Sequence, residues 1–278
     1  MNAIEIKGLK KVYDSYSLGP VDLTLPQGCI MGLIGENGAG KSTSIKAMLG
    51  MISSEGSIRL LGKDIRSEAA SVKQDIGVVP DEIGLPEMLN VKQVEKIMKD
   101  TFTNWDSAQF ADYIKRFDLP EKKAFKTFSK GMKMKLGIAI ALSHHAKLLI
   151  LDEPTSGLDP LVRDEIVGIL NDFTRDENHS ILISSHIVSD LEKICDYIAF
   201  LHKGRLMLCE EKDRLLEQYG ILHTTKDVLE GLAEDAVIGK RISEYGAEAI
   251  VRRDRVPASF DTQPVTIEEL FVIMAKEA

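Results

Sequence analysis

A run of eight residues could grip a chain of phosphates: Gly35, Glu36, Asn37, Gly38, Ala39, Gly40, Lys41 and Ser42, with Thr43 next. An apolar run over residues 30–34 leads in, and a segment of helical character over residues 42–49, closed by Gly50, leads out. This is G-x-x-x-x-G-K-[ST] in the setting it requires: strand, loop, helix. Backbone N–H groups must approach phosphate oxygens closely, and Gly35, Gly38 and Gly40 give the loop that freedom. The helix behind it turns unpaired N–H groups and a positive dipole end toward the anion. Lys41 adds a point charge on the β- and γ-phosphates, and the Ser42 hydroxyl suits Mg²⁺. A second centre is Leu151-Asp152-Glu153, an apolar strand ending in two adjacent carboxylates. Asp152 is expected to hold Mg²⁺, directly or through water, and Glu153 to polarise an attacking water. Open α/β sheets place ligands at such strand ends.

The elements that must position these groups can be read from patterning. Residues 3–9 and 21–25 alternate apolar and polar, as half-buried strands do, with a polar loop over 11–16 carrying Tyr13 and Tyr16. Residues 56–62 read as a short strand bounded by glycines, and 75–80 as a buried strand stopped by Pro80. From 82 to about 145 the texture is wholly helical, with Asn90, Asp106 and Ser129 as caps. The sheet returns at 148–151, an unbroken apolar run of the kind found in central parallel strands. Asp159 and Pro160 open a helix, 181–184 is the next strand, and 197–208 is a hairpin around Lys203-Gly204. Strands alternating with helices behind a phosphate loop predict a mainly parallel α/β sheet. Beyond residue 215 the signal weakens: 226–237 and 243–245 fit no element, 248–252 fits a strand, and Thr266 with Glu269 is a capping box. These residues, 216–278, are expected to form a small α+β appendage to a main unit spanning 1–215.

Composition narrows the class. The chain has 278 residues, 44% hydrophobic and 28% charged, with a formal net charge of −8. That acidity argues against a nucleic-acid partner. No stretch approaches the ~18 consecutive apolar residues of a membrane span. The N-terminus lacks the basic and apolar regions of a secretory signal, and the three dispersed cysteines show no disulfide or metal spacing. A cytoplasmic location is expected.

With these residues in place, the chain resembles the nucleotide-binding subunits of ATP-binding cassette (ABC) transporters over about residues 3–210. Phe128-Ser129-Lys130-Gly131-Met132 stands where that family has its signature, usually Leu-Ser-Gly-Gly-Gln. Ser156-Gly157-Leu158-Asp159 resembles the D-loop, His186 the switch histidine, and Tyr13 the aromatic that stacks on adenine. The resemblance implies a P-loop NTPase fold: a RecA-like parallel core, an N-terminal antiparallel β subdomain and a helical insertion. It implies ATP and Mg²⁺ as ligands, with Ser42, Asp81 and Asp152 on the metal side and Lys41, Glu153 and His186 acting in hydrolysis. It also implies a head-to-tail pair, homodimer or heterodimer, in which Ser129, Gly131 and Asp159 of one subunit face the ATP held by the other. A separate integral membrane permease would complete the assembly at the inner membrane face. Two departures stand out. Asp81 occupies the position of the family's usual Gln, and the signature carries Lys130 for Gly and Met132 for Gln. The Ser-Lys-Gly-Met form and the closing residues 265–271 resemble the subfamily serving ABC-2-type exporters of drugs, antibiotics and antimicrobial peptides. A soluble ABC ATPase acting on ribosomes or DNA is the alternative. One phosphate loop and no long heptad insertion weigh against it. A P-loop kinase leaves Ser129 and His186 without a role.

Overall fold

The computed structural model describes residues 1–243 and 246–277. The chain opens with an antiparallel hairpin, β1 (Asn2–Tyr13) and β2 (Tyr16–Pro26), followed by β3 (Ile30–Ile34) and α1 (Lys41–Met48). Next come β4 (Glu55–Leu60), β5 (Lys63–Asp64), α2 (Ala69–Gln74) and β6 (Ile76–Val79). No strand lies between β6 and β7 among the described residues; that stretch holds α3 (Val91–Thr101), α4 (Ser107–Arg116) and α5 (Lys130–Leu142). The sheet resumes with β7 (Leu148–Asp152), α6 (Pro160–Phe173), β8 (Ser180–Ser185), α7 (Val188–Ile194), β9 (Tyr197–His202) and β10 (Arg205–Glu211). The chain closes with α8 (Lys212–Gln218), β11 (Tyr219–Thr224), α9 (Lys226–Glu230), β12 (Val237–Ser243), β13 (Gly246–Arg252) and α10 (Ile267–Glu277).

These strands form three sheets, ordered β2-β1-β4-β5, β10-β9-β3-β8-β7-β6 and β11-β13-β12. In the six-stranded sheet, β6, β7, β8, β3 and β9 pair in parallel, and β10 joins antiparallel. β3, β7 and β8 are buried along their whole length, which is why they read as apolar runs and not as alternation. One face of this sheet packs on the α3–α5 insertion, α6, α7 and α10; the other packs on the four-stranded sheet and α1. Truncating one of these core residues, such as Ile150 to Ala, would cost about 2–5 kcal/mol, against a typical net stability of about 5–15 kcal/mol.

The register decides where function can sit. Ile34 lies beside Ser185 and Phe200, Asp152 beside Ser184, and Val79 beside Leu151. The phosphate loop, the carboxylate pair, His186, His202 and Asp81 therefore all leave the same edge of one sheet, as the rule for ligands at strand ends requires.

Two expectations change. The polar loop over 11–16 is instead strand up to a two-residue turn, with Lys11 opposite Leu18, Val12 opposite Ser17 and Tyr13 opposite Tyr16. Its outer end is exposed, so ladder hydrogen bonds and a cross-strand aromatic pair hold it, leaving no burial pattern to read. The unassigned stretch 226–237 contains α9 and leads into β12. Ser243 ends β12, while Glu244 and Tyr245 lie outside the described residues.

Candidate active site

The phosphate loop is a turn with an open mouth. Gly40 sits at the N-cap of α1 with φ 111°, and no side chain caps the helix there. The first-turn N–H groups are thus left for an anion. A Cβ added at Gly38 would meet nothing within 4 Å, whereas one at Gly35 would come 2.5 Å from the Leu201 carbonyl oxygen. Gly38 faces the opening and Gly35 the wall. Behind the loop, the Tyr16 hydroxyl donates to the Ala39 carbonyl at 3.0 Å, and burial pushes the Tyr16 phenol up, keeping it a donor.

Lys41 is 6% exposed, and its Nζ donates to the carbonyls of Gly35 at 2.7 Å and Glu36 at 3.2 Å. The same Nζ stands 3.1 Å from Glu153 Oε1. Glu153 Oε2 in turn lies 2.7 Å from His186 Nδ1 and accepts from the His186 backbone N–H at 3.3 Å. One carboxylate thus joins the phosphate-loop cation to the histidine after β8. Glu153 holds φ 52°, a left-handed backbone that a glutamate adopts at a cost of roughly 1–3 kcal/mol, typical of functional turns. The strained turn aims the carboxylate back over the sheet edge. Asp152, next in line, accepts from the Ser184 hydroxyl at 2.5 Å, and the Glu153 N–H donates to Ser184 Oγ at 3.1 Å. Ser184 was not singled out from sequence. It orients both acids, and its position opposite Asp152 follows only from the pairing of β7 with β8.

The remaining candidates fall into three groups. Ser42 and Thr43 lie in the first turn of α1, while Glu36, Asn37 and Gly38 are exposed along the loop and Ala39 is buried. Tyr13 is 44% exposed, its ring beneath Lys11 Nζ at 5.3 Å and 6.5 Å from the ring of Tyr16. Ser129, Gly131 and Asp159 stand apart as helix termini. Ser129 Oγ accepts from the Met132 N–H at 3.2 Å, and Asp159 accepts from Leu161 and Val162 at 3.1 Å. Gly131 packs toward Leu158 and Val162, so α5 rests on the turn before α6. Asp81 and Lys130, the two departures from the family pattern, face each other: Lys130 Nζ is 3.7 Å from Asp81 Oδ1. Both side chains are about half exposed, and an ion pair of that kind contributes about 0–1 kcal/mol.

Residues 18–156 match the ABC transporter family. A lantibiotic transport ATP-binding protein, SrtF of Streptococcus pyogenes, is 37% identical over 214 residues, covering 76% of this chain and 91% of that protein. The ABC transporter ATP-binding protein YtrB of Bacillus subtilis (strain 168) is 28% identical over 97% of both chains, so the likeness runs through the C-terminal residues as well. Among solved structures, one described as the ATP-binding subunit of an ABC transporter superposes with a TM-score of 0.71 at 28% identity, covering 78% of this chain and 92% of its own. The chain belongs to the ABC transporter family, as an ATP-binding and ATP-hydrolysing subunit.

Proposed function

We propose that this subunit powers a separate membrane permease that exports an antibiotic, peptide or drug-like cargo, and that it works as a pair closing on two ATP molecules. The observation that carries the catalytic part is the continuous contact from Lys41 through Glu153 to His186. Lys41 contacts two loop carbonyls and the Glu153 carboxylate. An arriving triphosphate offers Lys41 a stronger partner, so the ammonium turns to the β- and γ-phosphates and releases Glu153 Oε1. That oxygen can then take the proton of an attacking water while His186 Nδ1 holds Oε2 in place. Oxygen donors suit Mg²⁺, which keeps several waters and is held jointly with phosphates. Ser42 and Asp152 are the protein's contribution, and the Ser184 bond leaves the second Asp152 oxygen for that use. Asp81 would join through water, its carboxylate being shared with Lys130. The ion would neutralise charge building on the phosphate oxygens.

Export and the cargo class draw support from the name of SrtF and from the Ser-Lys-Gly-Met signature. Among the described residues no helix is long and apolar enough to cross a membrane. In this reading the path belongs to the permease, docked at the inner membrane face beside the Asp81 loop. Residues 1–215 act as the ATPase unit, 82–145 as its helical arm and 216–278 as an appendage. The test is Glu153→Gln, which keeps shape and removes the base. Mg-ATP should still bind while hydrolysis falls at least ~100-fold. Turnover at the wild-type rate would refute the assignment.

A further inference from the structure

His202 ends β9, one strand over from the phosphate loop, and is only 6% exposed. Neither of its ring nitrogens makes a hydrogen bond among the described residues. Buried polar atoms are seldom left so, and such a group calls for an explanation. The Nδ1 atom stands 3.0 Å from Oε1 of Glu36, the second residue of the phosphate loop. It touches the loop, and nothing so far gives it a role.

The surroundings show what the contact does. The β9–β10 hairpin already bears on the loop at two other points. Leu201 abuts Gly35, and the Gly204 N–H donates to the Ala39 carbonyl at 3.0 Å. Glu36 brings a carboxylate into a loop built to receive a polyanion. Left free, that carboxylate would repel the phosphates, and it would compete for Lys41, whose Nζ already sits on the Glu36 carbonyl at 3.2 Å. We infer that His202 is a positioning residue for ATP binding: it draws the Glu36 carboxylate onto the hairpin side, away from the phosphate path and from Lys41. At 3.0 Å an imidazolium acts as a counter-charge, and a small turn of the ring or of the carboxylate would align a neutral Nδ1–H as a donor. The contact also ties the loop's exposed arm to a strand end buried on both sides. This inference rests on the ATPase reading above.

A double-variant cycle on the full chain tests it, with Mg-ATP affinity measured by calorimetry. His202→Phe fills the ring's volume without a donor, and ATP should bind roughly three- to tenfold more weakly, the scale of one charge-assisted contact. Adding Glu36→Gln removes the errant charge and should restore most of the loss. His202→Gln, which keeps an N–H donor, should stay within about twofold of wild type. If His202→Phe does not fold, His202→Leu takes its place under the same outcomes. Unchanged affinity in the single variant overturns the inference, as does a loss that Glu36→Gln fails to rescue, because His202 would then only fill space. A wild-type chain that binds no Mg-ATP fails differently: it removes the ATPase reading itself.

Discussion

The N-termini of α1 and α5 are built in opposite ways. The start of α1 is capped by a glycine with no side-chain hydrogen bond, and the buried cation Lys41 stands beside it. The start of α5 is exposed and caps itself, with Ser129 Oγ taking up the Met132 N–H. At the first, no side chain takes up the first-turn N–H groups. The second has met its own backbone need and offers only what is left over, the Ser129 O–H and the Lys130 ammonium. Ser129 accepts with its oxygen and keeps its proton to donate, so cap and ligand contact are compatible. Under the proposed pairing, the difference is that α1 would bind phosphate by itself, whereas α5 would contribute to a site completed by another chain.

That contrast can be broken at the α1 end first. Lys41→Ala removes the cation and leaves Glu153 buried without its counter-charge, so nucleotide affinity and hydrolysis should both fall at least ~100-fold. A fluorescent ATP analogue and phosphate release report the two losses separately, and retention of either would show that α1 does not grip the triphosphate through this side chain.

At the α5 end the expected effect is split. Ser129→Ala deletes a cap, so stability should drop by about 0.5–2 kcal/mol. Hydrolysis at concentrations that favour pairing should fall about tenfold or more, while ATP affinity measured in dilute protein stays near wild type. Equal loss in dilute and concentrated protein would place Ser129 in the same half-site as Lys41.

The smallest effect concerns the root of the helical arm, where α5 meets the sheet. His144 is buried there, its Nδ1 3.1 Å from the Ile140 carbonyl and its Nε2 3.1 Å from the Ile76 carbonyl, with the ring stacked on Phe102. Burial lowers its pKa, outweighing the two carbonyls that favour the charged ring. With the folded value below the ordinary His value of about 6.5, the unfolded chain binds more protons. The stability His144 contributes is therefore full above that pH and is lost as pH falls toward the lower folded value. His144→Phe should flatten this part of the pH–stability profile in chemical denaturation. An unaltered slope between pH 7 and 5 would contradict it.

How legible these features were follows from their range. The phosphate loop, the acid pair and the caps at Asn90, Asp106, Ser129 and Asp159 depend on chemistry within a few residues, and each cap forms the bond its residue type predicts. The Lys41–Glu153–His186 contact depends on β3, β8 and β7 lying side by side, an order that no local pattern encodes. The mutual pairing of Asp81 and Lys130 was equally hidden. Each departure was visible alone, and only the packing of α5 against the loop after β6 brings them together. Of the β11–β13–β12 sheet only β13 was legible, as the strand over 248–252; β12 is largely exposed, with little alternation to read.

The central claim is that one subunit grips the triphosphate and its neighbour caps it. The most direct measurement is the molar mass of Glu153→Gln by sedimentation, with and without Mg-ATP, over a dilution series. The account predicts a monomer without nucleotide and a dimer with it, the dimer being lost again when Ser129→Ala is added. A chain that stays monomeric with bound ATP at every concentration, while the wild type turns over at a rate per molecule independent of dilution, would contradict it.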